Sequence, residues 1–336
     1  MTTPFRLPGP MPFTVLLDQA MREARRYGRV ILPSVALPAA VLSSLMVVFQ
    51  VRYMNALSGA ESNPLQVLAP ACSFMAMVFV VIALLVLAYT AMQVAVVDAA
   101  AGRPVDMKRA WRFTVELRVL GTLLLVGLAA GALFIVCCIP AGVVVAVGAM
   151  VNPLLAVLLG IVCGVLVLVA FLFLTTMWSF VTPVMADEGL FFGDAMRRSF
   201  ELVRFNPERR LFSARPMWKL LALLIVGAVI SYIVQFLVSL PFSIPVWVQT
   251  FTNAAKGQEP SFGGWFWLQV PGQFLGTLAS TAVYLYTSFG VALLFFDTRG
   301  RKEGTDLAAA IDALAPPPAP SAPSAGAPPL PGEAPL

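Results

Sequence analysis

Residues 153–174 read PLLAVLLGIVCGVLVLVAFLFL and contain no charged side chain. Crossing a bilayer takes about 20 mostly apolar residues, because the hydrocarbon layer is about 30 Å thick and an α-helix rises about 1.5 Å per residue. This stretch is long enough to cross that layer. It therefore predicts a transmembrane helix.

The composition of the whole chain extends this prediction. Of its 336 residues, 59% are hydrophobic and 12% are charged, and the mean hydropathy is +0.87. Soluble domains carry about 25% charged residues, so a soluble core has no room for this much apolar surface. The net charge of +5 comes from segments that flank apolar runs, not from one continuous basic patch. This distribution favours anionic lipid head groups as partners and argues against nucleic acid.

Apolar runs bounded by charge predict an all-α integral membrane bundle of six transmembrane helices. Their approximate limits are 30–50, 66–97, 119–147, 153–185, 218–248 and 267–296, with Pro140, Pro183 and Pro241 as expected kink sites. We therefore expect residues 1–310 to form a six-span membrane domain. Residues 311–336 are rich in Pro and Ala and poor in large apolar side chains, which predicts a disordered cytoplasmic tail.

Basic residues are distributed unequally between the two sides of this predicted bundle. Arg52 and Lys256 fall in connections on one side, and every other Lys and Arg falls on the opposite side. Lys and Arg are enriched in the cytoplasmic loops of membrane proteins, so the basic side, with both termini, is predicted to be cytoplasmic. Trp247, Trp265 and Trp267 lie near the outer ends of the last two spans, which agrees with this orientation.

Three basic amphipathic segments precede the odd-numbered spans, and each begins with an aspartate. They run from Asp18 to Arg29, from Asp106 to Arg118 and from Asp194 to Arg204, with successive aspartates 88 residues apart. The even-numbered spans also end alike, at Asp98, Asp187 and Asp297. The pattern predicts three pseudo-repeats, each an amphipathic interfacial helix followed by two spans, around a three-fold axis along the membrane normal. Similar span lengths, together with the preference of Asp for helix N-caps, are the alternative explanation.

Charged residues deep within a span usually mark an ion or proton pathway, and the six predicted spans contain none. Polar side chains in the spans either line a cavity or form hydrogen bonds between helices, and the second role is favoured. They include Gln93, Thr175, Thr176, Ser179, Ser231, Gln235, Gln273 and Ser280. Three glycine pairs at four-residue spacing favour close helix packing within the molecule over dimerisation. These pairs are Gly127 and Gly131, Gly160 and Gly164, and Gly272 and Gly276.

The candidate functional residues all lie on the basic side. An ion-paired elbow closing this face is predicted for Asp297, Arg299, Arg301, Glu303 and Asp306. Contacts with anionic lipid head groups are predicted for Lys108, Arg109, Arg197 and Arg198. The chain has no histidine, and no catalytic, cofactor-binding or metal-binding residues are predicted.

Two segments carry a resemblance to a known family. Residues 296–307, FDTRGRKEGTDL, resemble the closing signature of the glycerophosphodiester phosphodiesterase membrane-domain family, and residues 195–203, AMRRSFELV, resemble its other recognisable stretch. Family members either carry a soluble phosphodiesterase domain fused to the membrane region or consist of the membrane region alone. This chain resembles the stand-alone form, because it lacks the histidines on which the soluble domain relies. The resemblance therefore does not imply phosphodiesterase activity.

These features predict a multi-pass protein of the bacterial cytoplasmic membrane that is not an enzyme. The leading hypothesis is a non-catalytic membrane module that scaffolds or assists an envelope or lipid-related protein partner. The alternative is a transporter or lipid-handling protein with a cavity between the helix repeats.

Overall fold

The computed structural model describes residues 11–58, 65–205, 215–256 and 267–304, which are α-helical almost throughout. The helices are α1 (Phe13–Ser58), α2 (Leu65–Ala100), α3 (Met107–Thr114), α4 (Leu117–Val151), α5 (Pro153–Trp178), α6 (Val181–Glu188), α7 (Phe192–Val203), α8 (Pro216–Ala255) and α9 (Gln269–Lys302). Asp306 and the tail predicted in residues 311–336 lie outside the described residues. So do parts of three connections between helices.

Six helical stretches are long and apolar enough to cross a membrane. They are Phe13–Met54, Pro70–Ala100, Leu117–Gly148, Ala156–Glu188, Pro216–Asn253 and Gln269–Lys302. Each contains one of the six predicted spans or most of it, and no strand occurs in the described part of the chain. The predicted all-α membrane bundle is confirmed, and the chain is a multi-pass membrane protein.

The spans do not share the interior of the bundle equally. In the most apolar part of α9, 61% of the residues are buried inside the protein, whereas none is buried in the corresponding part of α5. Helices α1 and α8 pack along α9, and α2 packs against α1 and α9. The protein core therefore lies around α9.

Glycines allow α8 and α9 to approach closely. A Cβ atom on Gly272 would lie 2.9 Å from Cβ of Phe242, and one on Gly227 would lie 2.4 Å from the hydroxyl oxygen of Thr287. Gly276 similarly packs against Gln235, with only 3.1 Å between a Cβ and its side chain. The glycine pair in the sixth span thus serves packing within the molecule.

Helices α4 and α5 form a hairpin at the edge of the bundle. The side chain of Asn152 accepts a hydrogen bond of 2.8 Å from the backbone N–H of Leu154, which caps α5. The two helices pack mainly on each other, and their other contacts are with the neighbouring helices α3, α7 and α8. A Cβ atom on Gly127, Gly131 or Gly164 would meet nothing within 4 Å. The predicted close packing of a neighbouring helix is therefore absent at these three glycines.

The packing differs from the predicted three-fold arrangement. The first and third repeats share the long contact between α1 and α9. The second repeat contacts the first mainly through α3 and α6, and it contacts the third mainly at α7 of that repeat. Lipid tails are as apolar as these helices, so a hydrophobic span gains little by moving from lipid into the bundle. Equal spacing along the sequence therefore did not produce equivalent packing.

The first amphipathic segment also differs from the prediction. Residues 18–29 do not form a separate helix, because they continue without a break into the first span as part of α1. On its apolar face, Ala20 is fully buried and Ala24 and Tyr27 pack partly buried against the protein core, whereas Met21 is exposed. Most of that face packs against protein, so the segment is a continuation of the first span and not a separate interfacial helix.

The other two amphipathic segments are separate short helices. Asp106 caps α3, since its side chain accepts a hydrogen bond of 2.9 Å from the backbone N–H of Lys108. Asp194 lies in the first turn of α7. A break at Ser179 and Phe180 separates α5 from α6. Pro183 has no backbone N–H, so the carbonyl of residue 179 lacks the helical hydrogen bond that residue 183 would otherwise donate.

Candidate functional site at the charged end

Charged side chains converge where α2, α6 and α9 end and where α3 and α7 begin. We call this region the charged end. Asp98, in the last turns of α2, is only 1% exposed. The following turn at Gly102, with φ of 72°, returns the chain so that Nε of Arg103 lies 2.8 Å from Oδ1 of Asp98. A nearly buried carboxylate is thus neutralised by a residue five positions later.

Arg103 also connects α2 with α6. Its Nη1 atom lies 2.9 Å from Oδ1 of Asp187, close to the end of α6. The second oxygen of Asp187 pairs with Arg299 of α9. Asp187 therefore joins two guanidinium groups, one from the connection after α2 and one from α9.

A second set of ion pairs links α6, α7 and α9. Nε of Arg198 donates a hydrogen bond of 2.9 Å to Glu188, and Nη2 of Arg198 pairs with Glu303. Burial lowers the pKa of Arg198, but the hydrogen bonds and charges of Glu188 and Glu303 outweigh it and raise the pKa above its ordinary value. Glu303 also lies 3.1 Å from Nε of Arg299. These contacts hold Arg198 in its charged form.

Eight residues thus form one connected group, which we call the ion-pair network. Its members are Asp98, Arg103, Arg109, Asp187, Glu188, Arg198, Arg299 and Glu303. The network ties together the ends of all three even-numbered spans. Each of its carboxylates faces at least one guanidinium, and this pairing favours a structural role over proton transfer.

Two further ion pairs flank the network. Arg301 lies 2.8 Å from Asp297 within α9, and Nζ of Lys302 donates a hydrogen bond of 3.0 Å to Glu201 of α7. The hydrogen bond and charge of Lys302 lower the pKa of Glu201 below its ordinary value. The end of α9 is therefore bonded to α7 at two separate places.

The residues proposed from the sequence occupy several environments. Asp297, Arg299, Arg301 and Glu303 are paired as described, Arg198 belongs to the network, and Arg109 lies 3.6 Å from Asp98. Arg197 is exposed and pairs with Glu201 on its own helix, 3.3 Å away. Lys108 is exposed on α3. The contributions of Arg103, Glu188 and Glu201 were not predicted.

Seven basic side chains on the predicted cytoplasmic side, all in the described part of the chain, have no ion pair with a described acidic residue. They are Arg25, Arg26, Arg29, Lys108, Arg112, Arg118 and Arg204, all exposed, and we call them the basic belt. Arg26 lies over the ring of Tyr27, 5.2 Å from its centroid, and Arg204 lies over that of Phe200, at 4.9 Å. Lys108 and Arg112 of α3 add positive charge at the charged end, whereas Arg25, Arg26 and Arg29 lie farther away, where α1 packs beside Leu285 and Phe289 of α9.

Some polar side chains within the spans form hydrogen bonds between helices. Gln93 of α2 donates a hydrogen bond of 2.7 Å to the hydroxyl of Tyr284 in α9. In contrast, Thr175, Thr176 and Ser179 bond to carbonyls of the preceding turn. Gln93 thus fits the favoured role of bonding between helices.

A cleft opens at the charged end between α5, α7 and α8. Its volume is about 230 Å³, and it is lined by Phe173, Met177, Val203, Arg204, Arg215 and Met217. A second cleft, of about 360 Å³ between α1 and α9, is lined by Val41, Ser44, Leu45, Val48, Val270, Pro271 and Phe274. The first cleft combines cationic and apolar groups, whereas the second contains no charged side chain.

Within the described ranges, no group of three or more His, Cys, Asp or Glu side chains is placed to hold a metal ion. Comparison of the chain with family models, with curated proteins and with solved structures found no match. The resemblance to the glycerophosphodiester phosphodiesterase membrane-domain family therefore stays a prediction. So does the absence of catalysis, cofactor and metal.

Proposed function

We propose that this protein is a non-catalytic membrane module whose charged end serves as a platform for an envelope or lipid-related protein partner. The ion-pair network is the observation that carries the proposal. It joins the ends of α2, α6 and α9 through Arg103, Asp187 and Arg299. A surface held at three helix ends keeps its shape, and preorganisation lowers the entropic cost of binding a partner.

The proposal places the charged end in the cytoplasm of a bacterium, at the inner membrane. Its support is the exclusion of all Lys and Arg except Arg52 and Lys256 from the other side. The basic belt then faces the anionic head groups of the cytoplasmic leaflet, where each Lys or Arg near the surface contributes about 1 kcal/mol of attraction. Lipid contact orients the platform, and the partner binds from the cytoplasm.

The resemblance of residues 195–203 and 296–307 to the glycerophosphodiester phosphodiesterase membrane-domain family supports a lipid-related partner. The described parts of both stretches lie at the charged end, where Arg198 pairs with Glu303. The two resembling segments therefore meet in space and contribute to the same network. We propose that the shared feature is this junction, without the soluble phosphodiesterase domain.

A photocrosslinking amino acid tests the platform in cells. Introduced at Arg112 or Arg197, which are exposed at the charged end, it is expected to capture the same protein in independent preparations. Introduced at Leu158, exposed on the α4–α5 hairpin, it is expected not to capture that protein. Failure to recover a common protein from the two charged-end positions would contradict the proposal.

Two further measurements support the interpretation of that experiment. The Asp187→Asn substitution is expected to reduce the crosslinked product, because it removes the carboxylate shared by Arg103 and Arg299.

The purified protein is expected to hydrolyse phosphodiesters no faster than a detergent blank. Hydrolysis that co-purifies with the protein through two separation steps would show that it is an enzyme.

A lipid-handling protein is the second candidate, and the cleft between α5, α7 and α8 is the observation that favours it. Liposomes containing the protein and a fluorescent phospholipid test this function. Transbilayer movement faster than in protein-free liposomes would favour lipid handling. An unchanged rate is the result expected for the platform.

A further inference from the structure

The outward face of α8 presents a tyrosine side chain to the lipid. Helix α8 packs mainly on α9, and Gly227 and Gln235 lie on the side that faces that helix. Tyr232, on the other side, is 72% exposed. Its ring stacks on that of Phe236, with the centroids 6.5 Å apart, and its hydroxyl forms no hydrogen bond with a described residue. Tyr232 therefore points away from the bundle with its polar group free.

The position of Tyr232 along α8 places it near the middle of the hydrocarbon layer. Trp218 and Trp247, both exposed, lie 14 residues before it and 15 residues after it. An α-helix rises about 1.5 Å per residue, so the two tryptophans are about 44 Å apart. This distance matches a bilayer of about 40–45 Å with its head groups, the level that tryptophans favour. Tyr232 also lies between the contacts that α8 makes with Thr287 and Gly276, in the middle part of α9.

A hydroxyl at this depth needs a hydrogen-bond partner that lipid does not supply. The hydrocarbon layer is about 30 Å thick, so head groups and water begin about 15 Å away on either side. Acyl chains neither donate nor accept hydrogen bonds, and an unbonded polar group among them costs free energy. Ser239 and Ser243 on the same face of α8 have no such need, because their hydroxyls bond to carbonyls of their own helix. The hydroxyl of Tyr232 thus points to a second membrane-spanning segment.

We propose that this face of α8 binds a second copy of the chain, with the two Tyr232 hydroxyls bonded to each other on a two-fold axis along the membrane normal. Copies inserted in one orientation bring the same residue to the same depth, and a two-fold interface pairs a surface with itself. A hydroxyl both donates and accepts, so two tyrosines at one depth satisfy each other. Val229 and Phe236, exposed one helical turn to either side, flank the contact. The inference does not depend on the proposed platform.

Disulfide crosslinking of the full chain in membranes tests this interface. The native cysteines are replaced by Ala, and Val229→Cys or Phe236→Cys supplies a single thiol on α8. Leu166→Cys is the control, because Leu166 is 63% exposed in the middle of α5. Oxidation is expected to link two copies at each α8 position and not at the control position. Failure to link copies at both α8 positions, an equal yield at the control position, or linkage only to a different protein would overturn the proposal.

Removing the hydroxyl alone tests the bond between the two tyrosines. Energy transfer between dye-labelled copies in liposomes, at several ratios of protein to lipid, measures the dimer fraction. Tyr232→Phe is expected to dimerise about threefold more weakly than the wild type, the average effect of one hydrogen bond between membrane helices. Tyr53→Phe, which removes a hydroxyl from α1, is expected to dimerise as the wild type does. Equal dimerisation by the two variants, or a wild type that stays monomeric at every ratio, would contradict the proposal.

A polar replacement separates hydrogen bonding from the shape of the side chain. The amide introduced by Tyr232→Asn both donates and accepts, so this variant is expected to keep the dimer, whereas Tyr232→Leu is expected to weaken it. Because Tyr232 points away from the bundle, neither variant is expected to change the unfolding temperature of the monomer in detergent. Equal dimerisation by Tyr232→Asn and Tyr232→Leu would overturn the proposed bond.

Discussion

Arg103 and Asp187 lie 2.9 Å apart, although 83 residues separate them in the sequence. The same guanidinium lies 2.8 Å from Asp98, so one side chain connects the end of the second span with the end of the fourth. Asp187 in turn pairs with Arg299 at the end of the sixth. The three even-numbered spans are therefore connected through four side chains.

Removing the central carboxylate should weaken this connection. Asp187→Asn leaves Arg103 and Arg299 without a shared counterion and is expected to destabilise the protein by about 2 kcal/mol, a value reduced for the partial exposure of both arginines. Thermal unfolding in detergent measures the loss. Asp18→Asn is the control, because the exposed pair of Asp18 and Arg22 contributes less than about 1 kcal/mol. Equal unfolding temperatures for the two variants would contradict the account.

The six spans could be predicted from the sequence, because the length of an apolar stretch depends only on consecutive residues. Asp98, Asp187 and Asp297 were also singled out, since each follows a long apolar run. Their pairing could not be predicted, because Arg103 contacts Asp187 only after α2 and α6 have packed together. The peripheral position of α4 and α5 was missed for a different reason. Lipid and protein are similarly apolar, so hydropathy does not distinguish a central span from a peripheral one.

The glycines of α9 and α4 should respond differently to the same substitution. Gly272→Ala would place a Cβ atom 2.9 Å from Cβ of Phe242, and it is expected to destabilise the protein by about 1–3 kcal/mol through overpacking. Gly127→Ala meets nothing within 4 Å and improves helix propensity, so it is expected to be neutral or slightly stabilising. Unfolding temperatures in one detergent compare them. A larger loss for Gly127→Ala would contradict the described packing.

The hydrogen bond between Gln93 and Tyr284 should appear as an energetic coupling between α2 and α9. In a double-mutant cycle of Gln93→Leu and Tyr284→Phe, a coupling of about 0.6 kcal/mol is expected, the average for such bonds in membranes. Equilibrium unfolding in mixed detergent measures it. Thr175→Val replaces Gln93→Leu in the control cycle, because Thr175 bonds to its own helix. Equal coupling in the two cycles would rule out a specific bond.

The bond between Lys302 and Glu201 should depend on pH. Because the pKa of Glu201 is lowered in the folded protein, its stabilising contribution is present above its ordinary pKa and is lost as the pH falls through the lowered value. The wild type is therefore expected to unfold at a higher temperature than Glu201→Gln near pH 7. The difference is expected to vanish at acidic pH, below the lowered pKa. A difference that stays constant across this range would contradict the ion pair.

Thiol labelling in intact cells tests the central claim most directly, because the proposed function requires the charged end to face the cytoplasm. The native cysteines at 72, 137, 138 and 163 are replaced by Ala, and single cysteines are introduced at Arg112 on α3 and at Lys256 after α8, both exposed. A membrane-impermeant reagent is expected to label the position of Lys256 in intact cells and that of Arg112 only after the membrane is opened. Labelling of the Arg112 position in intact cells, with protection of the Lys256 position, would contradict the account.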